Sequence, residues 1–195
     1  MEFNPYQIPQ NNDIYVQQNL VTAISPKKEN DNFNVLVEQS FGFKKILNKN
    51  ILPITTEIGL DLNHYFQSSL FCSSSFQNFY IDSEKSTLIN NFWYCGNAFT
   101  VIPYAASIFH PKIKIYGGAG QAYGTQILDN SETKSNVVLY FWTLKPVLFL
   151  ETNVSEKFKF SLGGGYQFVF SDNSKNLATS TSGFEALASI SFHFN

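Results

Sequence analysis

Apolar and polar positions alternate with period two over most of this chain. From residue 158, Phe158, Phe160, Leu162, Gly164, Tyr166, Phe168 and Phe170 fall on one side, with Lys159, Ser161, Gly163, Gly165, Gln167, Val169 and Ser171 between them. After a polar stretch the rhythm resumes: Phe184, Ala186, Ala188, Ile190, Phe192 and Phe194 alternate with Glu185, Leu187, Ser189, Ser191 and His193. Successive side chains of a strand point to opposite faces. Each strand therefore has one aromatic face and one small or polar face.

The same reading predicts eight strands, at about 13–25, 32–46, 54–66, 91–109, 112–128, 137–152, 158–171 and 184–194. Residues 1–12 precede them as an N-terminal extension, and 13–195 form one all-β domain. The fourth strand is rich in aromatics but does not alternate cleanly, so its faces stay unassigned. Short connections are expected at 47–53, at His110-Pro111 and at 153–157, and longer polar ones at 26–31, 67–90, 129–136 and 172–183. Short turns on one rim and long loops on the other, with an even strand count, describe an antiparallel up-and-down barrel with both termini on the short-turn rim.

Composition sharpens the picture. Charged residues are 14% of the 195, against roughly 25% in an ordinary soluble domain, and Phe alone contributes 20. Mean hydropathy is nevertheless only −0.12. The longest apolar stretch, 137–150, contains Lys145 and Pro146 and is too short to span a bilayer as a helix. Net charge of −2 and a pI near 5.9 give no polybasic surface for nucleic acid. The start, Met1-Glu2-Phe3-Asn4-Pro5, lacks the basic and apolar regions of a signal peptide, which is expected to have been removed already.

Volume decides which face is inside. Eight strands enclose a space just wide enough for side chains to fill. Stacked Phe, Tyr, Trp and Leu from every strand would overfill it. The opposite face carries Gly42, Gly59, Gly118, Gly120, Gly124, Gly163 and Gly165 among Ser, Thr and Gln. The rings are therefore expected to face lipid, where a closed barrel pairs its own backbone groups. A soluble two-sheet all-β protein that binds a ligand is the competing reading. In the barrel, Glu38, Lys44, Glu57, Asp61, Lys114, Lys145, Glu151, Lys159 and Glu185 face the lumen, five acids and four bases. Buried charges persist when paired, so an internal ion-pair network that plugs the barrel is expected. A narrow channel for ions or small solutes is the alternative.

The segment Lys114-Ile115-Tyr116-Gly117-Gly118-Ala119-Gly120, the hairpin from Glu151 to Leu162-Gly163-Gly164-Gly165-Tyr166, and the end Ser191-Phe192-His193-Phe194 resemble the eight-stranded outer-membrane barrels of the outer membrane protein A transmembrane domain and the opacity-like surface proteins. The resemblance implies residence in the bacterial outer membrane, contact with its lipid, and a surface role in adhesion, antigenicity or envelope structure. It also implies that Phe184, Ile190, Phe192 and Phe194 act as a C-terminal signal for the barrel-insertion machinery. Members usually end on the aromatic residue, whereas here Asn195 follows Phe194. A host or extracellular ligand would meet the loops 26–31, 67–90, 129–136 and 172–183.

The remaining motifs point to no enzyme. Cys72 and Cys95 flank the longest expected loop, and a disulfide there would tie its base near the outer rim. No Cys/His spacing suggests a metal, and Gly117-Gly118-Ala119-Gly120 precedes no helix, so no cofactor is expected. Ser191, His193 and Glu185 share one face of one strand, whereas a catalytic triad draws on separate elements. Tyr15, Phe66, Phe92, Trp93, Tyr94, Phe109, Trp142 and Phe170 are candidates for interfacial girdles.

Overall fold

The computed structural model describes residues 34–194 apart from 48, 64, 128–133 and 173. The strands, in chain order, are β1 (Asn34–Ile46), β2 (Lys49–Ile51), β3 (Ile54–Asp61), β4 (Phe66–Ser75), β5 (Phe79–Tyr80), β6 (Thr87–Val101), β7 (Phe109–Ile127), β8 (Lys134–Asn153), β9 (Phe158–Phe170) and β10 (Gly183–Phe194), with one helix, α1 (Lys175–Thr181), before β10. Eight of these strands form an antiparallel wall in the order β1-β3-β4-β6-β7-β8-β9-β10. The wall closes where β10 pairs with β1, from Val35 opposite Phe194 to Lys44 opposite Glu185. β2 and β5 are short ribbons beside β1 and β6.

The strand count matches the sequence expectation, but the strands are not all the same ones. The expected strand at 13–25, like the extension 1–12 and the loop 26–31, lies outside the described residues. β1 already has β10 on one side and β3 on the other. The eighth wall strand is instead β4, inside the expected loop 67–90. Ser68, Ser69, Ser73, Ser74 and Ser75 make it read as a polar loop, yet it pairs with β3 and β6 along its whole length. Closure of the sheet supplies the partners that serine-rich sequence does not advertise.

This substitution moves one expected connection to the other rim and removes another. The turns 62–65, 102–108 and 154–157 share one rim with Asn34 and Phe194. The other rim carries 47–53, 76–86 and 171–182, together with the strand ends Ile127 and Lys134. The 47–53 connection therefore belongs to the loop rim, not the short-turn rim. His110-Pro111 is not a turn at all: β6 stops at Val101, and both residues lie within β7. The 172–183 loop is largely α1. Ser174 caps its N-terminus by accepting from Leu177 N–H, and Leu177 and Thr181 are buried in the barrel mouth.

Alternation places the apolar set outside. Phe41, Leu70, Phe99, Trp142, Leu148, Leu162 and Phe192 are all exposed. On β7 through β10 the outward positions are those the period-two pattern assigns. Among the described residues, no helix is long and apolar enough to cross a membrane.

Candidate functional site

The interior divides into two layers. Toward the short-turn rim it is ionic. Lys112, from β7, places its Nζ 2.9 Å from Glu38 Oε2 on β1 and 2.6 Å from Glu151 Oε2 on β8. Lys114, two residues on along the same face, donates to Glu38 Oε1 at 2.9 Å and to both oxygens of Glu57 at 3.1 Å. The chain Glu151–Lys112–Glu38–Lys114–Glu57 thus crosses the lumen. Hydroxyls and an imidazole satisfy the remaining lone pairs. Ser161 donates to Glu151 at 2.9 Å, Ser69 to Glu57 at 2.9 Å and Tyr116 to Glu57 at 2.6 Å, while His110 Nε2 lies 3.1 Å from Glu151. Lys159 approaches the same carboxylate at 3.6 Å. Asp61 meets His193 Nδ1 at 3.4 Å across the β3–β10 side of the barrel.

A second group lies toward the loop rim. Lys145 sits 3.3 Å from Glu185, with its ammonium 4.8 Å from the Tyr116 ring centroid. Tyr116 therefore joins the two groups, its hydroxyl on Glu57 and its ring face toward Lys145. Lys44 donates to Gln167 Oε1 at 2.7 Å and to the carbonyl of Thr181, the last residue of α1. A cation at a helix C-terminus complements the unpaired carbonyls there.

All nine charges expected in the lumen are buried. The structure adds Lys112, which brings the buried acids Glu38, Glu57, Asp61, Glu151 and Glu185 level with the buried bases Lys44, Lys112, Lys114, Lys145 and Lys159. Sequence reading missed Lys112 by starting the strand there, after a supposed turn. The unbroken alternation His110, Lys112, Lys114, Tyr116 was the signal that would have found it.

Around this second group the loop-rim half is rich in buried rings, which the sequence reading did not foresee. Phe79, Phe92, Tyr94 and Phe141 pack there with Ile89, Leu187 and Leu177 of α1, and the cluster continues through Phe71 down to Val147 and Phe149, which stand opposite Lys114 and Lys112. Phe92 and Phe141 stack at 4.6 Å, and Phe71 meets Tyr116 edge-on at 5.0 Å. Gly120 makes room for them: a Cβ there would come within 2.5 Å of Tyr94 Cβ and 2.8 Å of the Phe141 ring. β6 carries rings on both faces, Phe92 and Tyr94 inward and Trp93 outward, and shifts register between Ile89 and Asn91. That is why its alternation was unreadable. Phe92 and Tyr94 are thus lumen residues and not girdle candidates, whereas Phe66, Phe109 and Phe170 stand outward at strand ends and Trp142 stands outward midway along β8. Tyr15 lies outside the described residues.

Cys72 and Cys95 are disulfide-bonded. They are directly opposed on β4 and β6 and face outward from the wall, so the bond staples the ladder itself and does not tie a loop base at the rim. Glu185 and His193, considered with Ser191, turn to Lys145 and Asp61 respectively. Phe184, Phe192 and Phe194 project from the outer surface, with Ile190 half-buried between them.

No protein-family model and no curated protein matches this chain. Solved structures do. The N-terminal β-barrel domain of OprF from Pseudomonas aeruginosa aligns with a TM-score of 0.52 at 12% identity, covering 83% of this chain and 97% of that one. Neisserial surface protein A gives the same values. The chain is built as these eight-stranded outer-membrane barrels are, and the likeness is one of fold.

Proposed function

We propose that this chain is an integral outer-membrane barrel with a sealed lumen, acting as a surface-exposed structural or interaction protein. The carrying observation is the inversion of polarity across the wall. Lys112, Lys114, Glu38 and Glu57 are at most 1% exposed, while Phe99, Trp142, Leu148 and Phe184 are 58–81% exposed. Exposed apolar area of that extent on every wall strand is stable only against another apolar medium, and hydrocarbon is the medium a closed barrel suits. The sealed lumen rests on the ion-pair chain below and the ring cluster above, with α1 over the mouth. Residues 76–86 and α1 stand on the rim that would meet the outside, and they would carry contacts with a host or extracellular partner. The outward Phe184, Ile190, Phe192 and Phe194 would be read by the insertion machinery.

The test is expression with an export signal in a Gram-negative host, followed by membrane fractionation. The chain should resist extraction at high pH and migrate differently on a gel before and after heating. A monodisperse protein released without detergent would sink the reading. Planar-bilayer recording separates the sealed barrel from a channel, since steady large openings would contradict a plugged lumen.

A further inference from the structure

On the loop rim, the β1–β2 turn and the segment after β5 enclose a cleft of about 430 Å³. It is lined by Ile46, Leu47 and Tyr80 together with Lys49, Lys85, Asp82 and Ser83. The cleft is preorganised from both directions. Lys49 Nζ donates to the Asn78 carbonyl, and Leu52 N–H donates to Gln77 Oε1 at 2.6 Å, which ties the two connections together. Both Asp82 carboxylate oxygens accept backbone N–H groups, from Ser86 at 2.7 Å and Thr87 at 2.8 Å. The acid is thus engaged in holding its own loop. Leu47 and Lys85 have φ of 51° and 56°, two of the three left-handed non-glycine residues among those described. Such conformations persist where the surroundings hold them, and here both border one cleft.

Lys49 also serves the fold through Asn78, whereas Lys85 has no such role. Lys85 makes no side-chain hydrogen bond or ion pair among the described residues. Two lysines lining one cleft complement the charge of a compact dianion, and a phosphate monoester carries between one and two negative charges near neutrality. Leu47 and Tyr80, which line the same cleft, are exposed. Apolar side chains around a cationic cleft fit an amphiphile better than a free ion. We infer that this cleft binds a phosphate group, and that its source is the headgroup of a lipid surrounding the barrel. The inference deepens the membrane reading and rests on it for the lipid source.

The experiment refolds the chain into phosphatidylcholine vesicles with and without phosphatidic acid, and scores flotation with the vesicles first. Native mass spectrometry then counts bound lipid, and a parallel titration uses inorganic phosphate. Wild type should retain phosphatidic acid over phosphatidylcholine. Lys85→Gln and Lys49→Gln should each weaken that retention about tenfold, and Lys157→Gln on the opposite rim should leave it unchanged. Lys85→Gln breaks no contact within the fold, so its loss of binding is not a loss of structure. Equal retention of both lipids, with no lysine-dependent phosphate binding, would overturn the site. Lysine-dependent binding of inorganic phosphate without lipid preference would keep the site and overturn the lipid source. A chain that does not float overturns the membrane reading, while the phosphate titration still decides the site.

Discussion

Lys112 lies in direct ion-pair contact with Glu151, 2.6 Å from Nζ to Oε2, although the two residues are not opposed in the β7–β8 ladder. The lysine reaches inward from its own strand and is shared with Glu38 of β1 at 2.9 Å. One ammonium thus ties the two sides of the lumen. Replacing it with Met keeps the bulk but leaves two buried carboxylates short of a cation. Breaking a buried pair from one side costs about 3–5 kcal/mol. Urea unfolding of the refolded barrel should show that loss for Lys112→Met. Adding Glu151→Gln should restore part of it, because the uncompensated charge goes with the partner. A double variant as unstable as the sum of the singles would show that the two residues do not act as a pair.

The disulfide makes a separate demand. Cys72 and Cys95 join adjacent strands whose ladder runs well beyond the bond on both sides. The barrel should therefore assemble as Cys72→Ser/Cys95→Ser. A bond closing a loop of this size stabilises mainly by restricting the unfolded chain, by about 3 kcal/mol. Unfolding midpoints of wild type with and without reductant should differ, and those of the double serine variant should not. Failure of the serine variant to form a heat-modifiable species would mean that the bond guides assembly.

Leu148 stands on the outward face of β8 and is 58% exposed. Arginine at that position should destabilise the barrel in vesicles by about 2–4 kcal/mol if it meets the middle of a bilayer. In water the same change on an exposed position would be close to neutral. Vesicle-based unfolding of Leu148→Arg thus tests the orientation of the wall directly, and a neutral result would favour the soluble reading.

The ring cluster should seal and stabilise together. Phe141 stacks on Phe92 and touches Tyr94 edge-on. Phe141→Ala should cost about 3–5 kcal/mol as a buried large-to-small change. It should also leave single-channel recordings silent, because the ion-pair layer below remains closed. Steady openings in this variant alone would assign the seal to the rings and not to the charges.

Period-two alternation by itself determined that the chain makes strands and which side chains of β7 to β10 point in. A side chain's face depends only on its parity along the strand, and parity is local. The nine lumenal charges were legible for the same reason, since each interrupts an apolar or small-residue series on a known face. Tertiary structure alone decided the rest. β4 is a strand because β3 and β6 offer it hydrogen bonds, a long-range fact that Ser68 to Ser75 do not signal. Phe92 and Tyr94 turned inward where neighbouring β7 places the small residues Ala122 and Gly120 opposite them, so the room they fill comes from another strand. Lys112 became the shared cation because barrel closure brought β1 across from β7. Which ammonium meets which carboxylate depends on the curvature and register of the whole wall, and no local pattern along the chain encodes that distance.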